Sequence, residues 1–165
     1  MYLNYDHLTS DLKISKKTLL KHVFYLEFAY LLRKIRNFRS RQLTASKKLQ
    51  RVYPYHWGLI FTINGENIYE SFVASTIDAE YYWRDKDKEI DFIIIKRNKI
   101  IPIEVKSANV KKNDLNNLVY FCNKNKIREA FLIYDGEYTK EKIGSLTVTY
   151  LPFWKFALKP NLLIE

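Results

Sequence analysis

Two nearly unbroken apolar runs limit what this chain can fold into. Ile90-Asp91-Phe92-Ile93-Ile94-Ile95 is followed, after the polar Arg97-Asn98-Lys99, by Ile100-Ile101-Pro102-Ile103-Glu104-Val105-Lys106. Their β-branched and aromatic residues read as strands joined by a turn. A strand that is apolar throughout, rather than alternating, is one covered on both faces. The runs therefore predict the centre of a sheet with a layer of structure on either side. Pro102 donates no backbone hydrogen bond and marks a strand edge or an irregularity.

Charged residues interrupt both runs at one end. Side chains alternate across a strand, so Glu104 and Lys106 share a face and Val105 points to the other. Asp91 joins them if the register allows. Acids set in core-like strands need a partner or a metal. Magnesium takes one or two carboxylates together with waters and phosphate oxygens. Asp91 and Glu104 are the candidate carboxylate ligands, and the Val105 carbonyl is a candidate third protein oxygen. Lys106 is suited to positioning or activating a water and to neutralising a phosphate. The same residues also fit an ordinary solvated strand end with an ion pair, because such short strings recur by chance.

The remaining chain predicts alternating helices and strands. Tyr5–Leu12 forms a short helix. Ser15 caps a second helix, from Lys16 to about Leu32, whose apolar residues follow helical spacing. This pair has the outline of a helix-turn-helix, with Lys16, Lys17 and Lys21 early in its second helix. Leu32–Phe38 and Leu49–Tyr55 predict two strands, with the loop 39–48 between them as a wing. Arg39, Arg41, Lys47 and Lys48 in that loop are candidates for gripping phosphates. Asn64-Gly65 marks a turn. Ile68–Ala79 predicts a helix carrying Glu70, and Tyr81–Trp83 a strand. A helix over Asp114–Asn123, capped at Asn113, a strand at Ala130–Tyr134, a strand at Leu146–Leu151 and a closing helix at Trp154–Leu158 follow. The expected units are a winged-helix-like basic segment, residues 1–62, and an α/β (α+β) domain, residues 63–165, with a central mixed sheet flanked by helices.

Charge separates these units. The 165 residues carry a net charge of +10. Residues 1–60 hold twelve Lys and Arg against three acids, and the remainder is nearly balanced. A basic excess confined to one segment fits either the electrostatic footprint of a nucleic-acid partner or a lysine-rich solvated face. Cys122, the single cysteine, cannot form an intramolecular disulfide and sits in an apolar helical pattern as a core residue. No run is apolar and long enough to span a bilayer, and no signal-peptide pattern is present, which predicts a cytoplasmic location. There is no P-loop, and His7, His22 and His56 are scattered, so neither phosphate-loop nor zinc chemistry is expected.

The acid, hairpin and Glu104-Val105-Lys106 together resemble the PD-(D/E)XK nuclease superfamily. Wider strings add detail: Asn67-Ile68-Tyr69-Glu70-Ser71-Phe72-Val73-Ala74-Ser75, Tyr82-Trp83-Arg84, Glu89-Ile90-Asp91-Phe92 and Ile101-Pro102-Ile103-Glu104-Val105-Lys106-Ser107. They resemble the nuclease-like C-terminal domain, a domain of unknown function (4143), that lies behind AAA-type ATPase modules in archaea and bacteria. The resemblance implies a restriction-endonuclease-like core, Mg²⁺ (or Mn²⁺) as cofactor, and hydrolysis of DNA phosphodiesters by a metal-activated water. The catalytic set it implies is Glu70, Asp91, Glu104 and Lys106. Ile90 stands where the superfamily has proline, and His56 stands near a position usually held by aspartate. The alternative is a catalytically idle nucleic-acid-binding or docking module that partners an AAA-type ATPase, since this chain carries no ATPase module of its own.

Overall fold

The computed structural model describes residues 2–39, 46–62, 68–107, 110 and 112–163. The Asn64-Gly65 turn, Arg41 and the expected unit boundary at residues 62 and 63 touch positions outside the described residues. Helix α1 (Tyr5–Leu12) begins at Asn4, whose side chain accepts the N–H groups of Asp6 and His7. Helix α2 (Lys16–Phe28) is capped by the Ser15 hydroxyl, which accepts the Thr18 N–H. This helix is shorter than its apolar spacing predicts, because Tyr30 takes a positive φ of 55° and turns the chain into a strand. Leu32 belongs to that strand rather than to the helix.

Among the described residues, eight strands form one mixed sheet: β1 (Leu32–Asn37), β2 (Ser46–Pro54), β3 (Tyr81–Asp85), β4 (Lys88–Lys96), β5 (Lys99–Lys106), β6 (Glu129–Tyr134), β7 (Thr139–Ile143) and β8 (Leu146–Pro152). Their order is β2-β1-β3-β4-β5-β6-β8-β7. The strands expected as a wing are β1 and β2, and β1 pairs parallel with β3 in this same sheet. The β4–β5 hairpin turns at Arg97 and Asn98, both at positive φ, and pairs Phe92 with Ile103 through Lys96 with Lys99. It therefore occupies the middle of the sheet, as an apolar hairpin must. Strand β5 is internal, but its pairing to β6 begins at Ile103. At Pro102 it has only β4 beside it, so the missing N–H costs no ladder bond on the other side.

Helices cover both faces. Helix α3 (Ile68–Thr76) and helix α5 (Phe153–Leu158) supply Val73, Ala74 and Phe156 to one core with Ile35, Tyr53, Tyr82, Phe92, Ile103 and Val105. Helix α4 (Asn116–Asn125) supplies Leu118, Phe121 and Cys122 to a second core with Trp83, Ile90, Ile93, Leu132 and Val148. Its N-cap is Leu115, which makes no side-chain cap bond. The cap expected at Asn113 thus falls two residues early, because a 3₁₀ turn over Lys112–Leu115 precedes the helix. Cys122 is fully buried. Strand β7 and the 3₁₀ turn Trp57–Thr62 have no counterpart in the sequence expectations: β7 is short, charged and exposed, and leaves little apolar signal. Among the described residues, no helix is long and apolar enough to cross a membrane.

Candidate active site

The site is built where β4 departs from regular pairing. Tyr81 pairs with Ile93 and Trp83 with Ile90, so one residue of β3, Tyr82, faces two of β4, Asp91 and Phe92. This is a β-bulge, which bends a strand and re-aims side chains. Its effect is visible in the packing. Ile90 and Phe92 are two residues apart, yet they belong to different cores. Asp91 is the extra residue.

Released from strict alternation, Asp91 turns its carboxylate towards two neighbours. Its Oδ2 accepts the Val105 N–H at 2.9 Å, and its Oδ1 lies 3.4 Å from Arg51 Nη1. Strand β5 keeps its alternation. Ile101, Ile103 and Val105 enter the first core, so Glu104 and Lys106 lie on the other face. Glu104 Oε1 takes the Lys106 ammonium at 2.8 Å. The bulge thus brings Asp91, Glu104, Val105 and Lys106 to one point at the end of the hairpin.

Both carboxyls are held away from water, with Asp91 9 % and Glu104 6 % exposed. Burial is the main reason that Asp91 is pushed up to about 6, and the Glu70 charge adds to it against the pull of Arg51, Val105 N–H and Lys106. Burial also leads the shift of Glu104, up to about 8, and repulsion from Asp91 follows. The two carboxyls titrate as a pair. Glu104 Oε2 is buried without a hydrogen-bond partner, an arrangement that costs free energy unless something fills it. Lys106 is also raised: burial opposes its charge, and Glu104 more than offsets it.

Glu70 meets Asp91 across Arg51. Its Oε2 accepts the Tyr53 hydroxyl at 2.8 Å and meets Arg51 Nη2 at 2.9 Å. Arg51, on β2, is the residue that the sequence reading missed. Its guanidinium also reaches Glu89 at 3.1 Å, and the rings of Tyr2, Tyr53 and Tyr82 surround it. The Tyr2 hydroxyl donates to Glu89. Burial opposes the Arg51 charge, but Tyr53, Asp91, Glu70 and Glu89 raise its pKa further. An arginine inside Gln50-Arg51-Val52-Tyr53 looks like surface in the sequence. Only its alternation with the buried Tyr53 hinted that it points inward.

The donor set suits a hard divalent cation in one respect and limits it in another. Two buried carboxylates that repel each other, one with an orphaned oxygen, fit Mg²⁺, which needs only one or two carboxylates. Among the described residues, however, no three His, Cys, Asp or Glu side chains gather into a metal-holding group. Lys16, Lys17, Lys21 and Arg39 are exposed. Lys16 pairs with Asp6 at 2.9 Å, and Arg39 lines a cleft of about 540 Å³ with Trp83, Arg84 and Lys124. The side chains of Lys47 and Lys48 and all of Arg41 lie outside what is described.

Residues 66–156, which contain α3, the bulged hairpin, α4 and β8, match the family described as Domain of unknown function (DUF4143). The chain belongs to this family. No curated protein and no solved structure matches it.

Proposed function

We propose that this DUF4143 chain is a metal-dependent nuclease-like domain of the PD-(D/E)XK type that acts on DNA. The observation that carries the proposal is the Asp91–Glu104 pair. These are two buried carboxylates, both pushed towards protonation, with Glu104 Oε2 left without a partner beside the Lys106 ammonium. Such a pair is unfavourable in an empty protein and favourable around a divalent cation. Asp91, Glu104 and the Val105 carbonyl would hold Mg²⁺, with Mn²⁺ as a substitute. When bound, the ion lowers the pKa of a water and offsets charge on a phosphate.

The chain's own residues supply the rest. Lys106 stays protonated, so it donates hydrogen bonds to a water or a phosphate oxygen and orients it; it does not remove the proton. The Val105 N–H fixes one Asp91 oxygen and leaves the rotation of that carboxylate determined. In this reading the exposed basic residues of α2 and Arg39 would hold the phosphate backbone by charge.

A second reading is an idle docking module. It is favoured by the α2 surface, where Phe24 and Phe28 stack while 59 % and 75 % exposed. Cleavage of plasmid and branched DNA with Mg²⁺ or Mn²⁺ tests the first reading. The expected result is cleavage that falls at least about 100-fold in Asp91→Asn and in Lys106→Ala, the order associated with loss of a positioned catalytic group. Intact DNA at every metal concentration, or cleavage that survives Asp91→Asn, counts against the nuclease reading and leaves the docking module.

A further inference from the structure

The carboxylates of this site divide into two groups, and one side chain divides them. Glu70 from α3, with Glu89 and Asp91 from β4, converges on Arg51 from β2 at 2.9, 3.1 and 3.4 Å. Without a cation, three carboxylates in a largely buried space would repel strongly. Arg51 is itself only 8 % exposed, and its Nε is buried without a partner. Its charge is therefore committed to this cluster rather than to solvent. Glu104 lies outside its reach and depends on Lys106.

We infer that Arg51 acts as a built-in cation that takes Glu70 and Glu89 out of the metal set, so that the site accepts one divalent ion, at Asp91 and Glu104, and not two. This deepens the metal reading proposed above and rests on it. The guanidinium already lies in contact with Glu70, Glu89 and Asp91, and it is covalently anchored, so added metal cannot outcompete it by mass action as it would a bound ion. The acids are spaced to fit a guanidinium: Nη2 meets Glu70, and Nη1 meets both Glu89 and Asp91. Tyr53 reinforces the division by donating to the Glu70 oxygen that faces Arg51. Arg51 is in this sense a positioning residue. It sets which acids meet the metal without meeting it.

Counting bound Mn²⁺ by electron paramagnetic resonance and titration calorimetry tests the inference without any activity readout. The expected stoichiometry is one ion per chain for the wild type and for Arg51→Lys. Arg51→Gln, with folding checked by circular dichroism, is expected to take a second, weaker ion as Glu70, Glu89 and Asp91 close around it. Glu70→Gln keeps Arg51 in place and is expected to change Mn²⁺ affinity less than about threefold, whereas Glu104→Gln lowers it more than tenfold. Two ions in the wild type overturn the inference, as does a single ion in folded Arg51→Gln or a tenfold loss in Glu70→Gln. If Arg51→Gln does not fold, the Glu70→Gln affinity decides. A wild type that takes no ion overturns the metal reading itself, and this inference with it.

Discussion

Asp91 and Glu104 each have a higher affinity for protons in the folded chain than in the unfolded one, and this has a sign that can be checked. A carboxyl with a raised folded-state pKa contributes stability that is fully present below its unfolded value and is lost as pH rises through its folded value. With Asp91 near 6 and Glu104 near 8, the loss falls between about pH 4 and pH 8, at up to about 1.4 kcal/mol per pH unit for each carboxyl. The expected observation is a melting temperature that declines from pH 5 to pH 8 in the presence of chelator. Under the metal reading, saturating Mg²⁺ raises it again, and more at pH 8 than at pH 5. Glu104→Gln removes one member of the pair, so its melting temperature is expected to depend less on pH and to respond little to Mg²⁺. A decline as steep as that of the wild type would assign the titration to other groups.

At the scale of elements, the helices differ sharply in what holds them. Helix α4 lays Leu118, Phe121 and Cys122 on the sheet, each at most 1 % exposed, and the Phe121 ring meets Trp83 at 4.9 Å. Helix α2 buries only Leu19 and Val23. Phe121→Ala should therefore destabilise the fold by about 3–5 kcal/mol and alter Trp83 fluorescence. Phe28→Ala, at a position 75 % exposed, should stay within about 0.5 kcal/mol. Chemical denaturation of the two variants makes the comparison. A large loss in Phe28→Ala would mean that α2 has a covering surface in solution. The bulge belongs to this scale as well. It is a property of the β3–β4 pair, and neither strand alone contains it.

For the whole molecule, the basic excess and the acid site come from different segments joined by one sheet. Strand β2 carries Arg51 into contact with α3 and β4, so residues 1–60 contribute to the site as well as to the surface. If DNA is the ligand, its affinity should fall with salt. Each phosphate contact removed should flatten the log–log slope by about 0.9 on duplex DNA. Lys17→Ala with Lys21→Ala is the pair to measure, because both are exposed on α2. Fluorescence anisotropy at several salt concentrations reads the slope; an unchanged slope would place the phosphate contacts elsewhere.

Local chemistry made much of this chain legible before any tertiary contact was known. The α1 bounds, the Ser15 cap, the buried central hairpin, its turn at Arg97 and Asn98, the pairing of Glu104 with Lys106 on one face, and the burial of Cys122 all follow from the periodicity and conformational preference of neighbouring residues. Short charged elements such as β7 left too little apolar signal to be seen. The position of Asp91 was beyond reach for a different reason: a bulge is a mismatch in count between two strands, so no single stretch of sequence records it. Arg51 was hidden likewise, because a buried guanidinium is stable only among carboxylates that arrive from α3 and β4. Residue order by itself determined which segments become strands and helices and where the acids interrupt them. The tertiary structure alone decided which acids meet, since charges separated along the chain interact only once folding has closed the distance and removed the water between them.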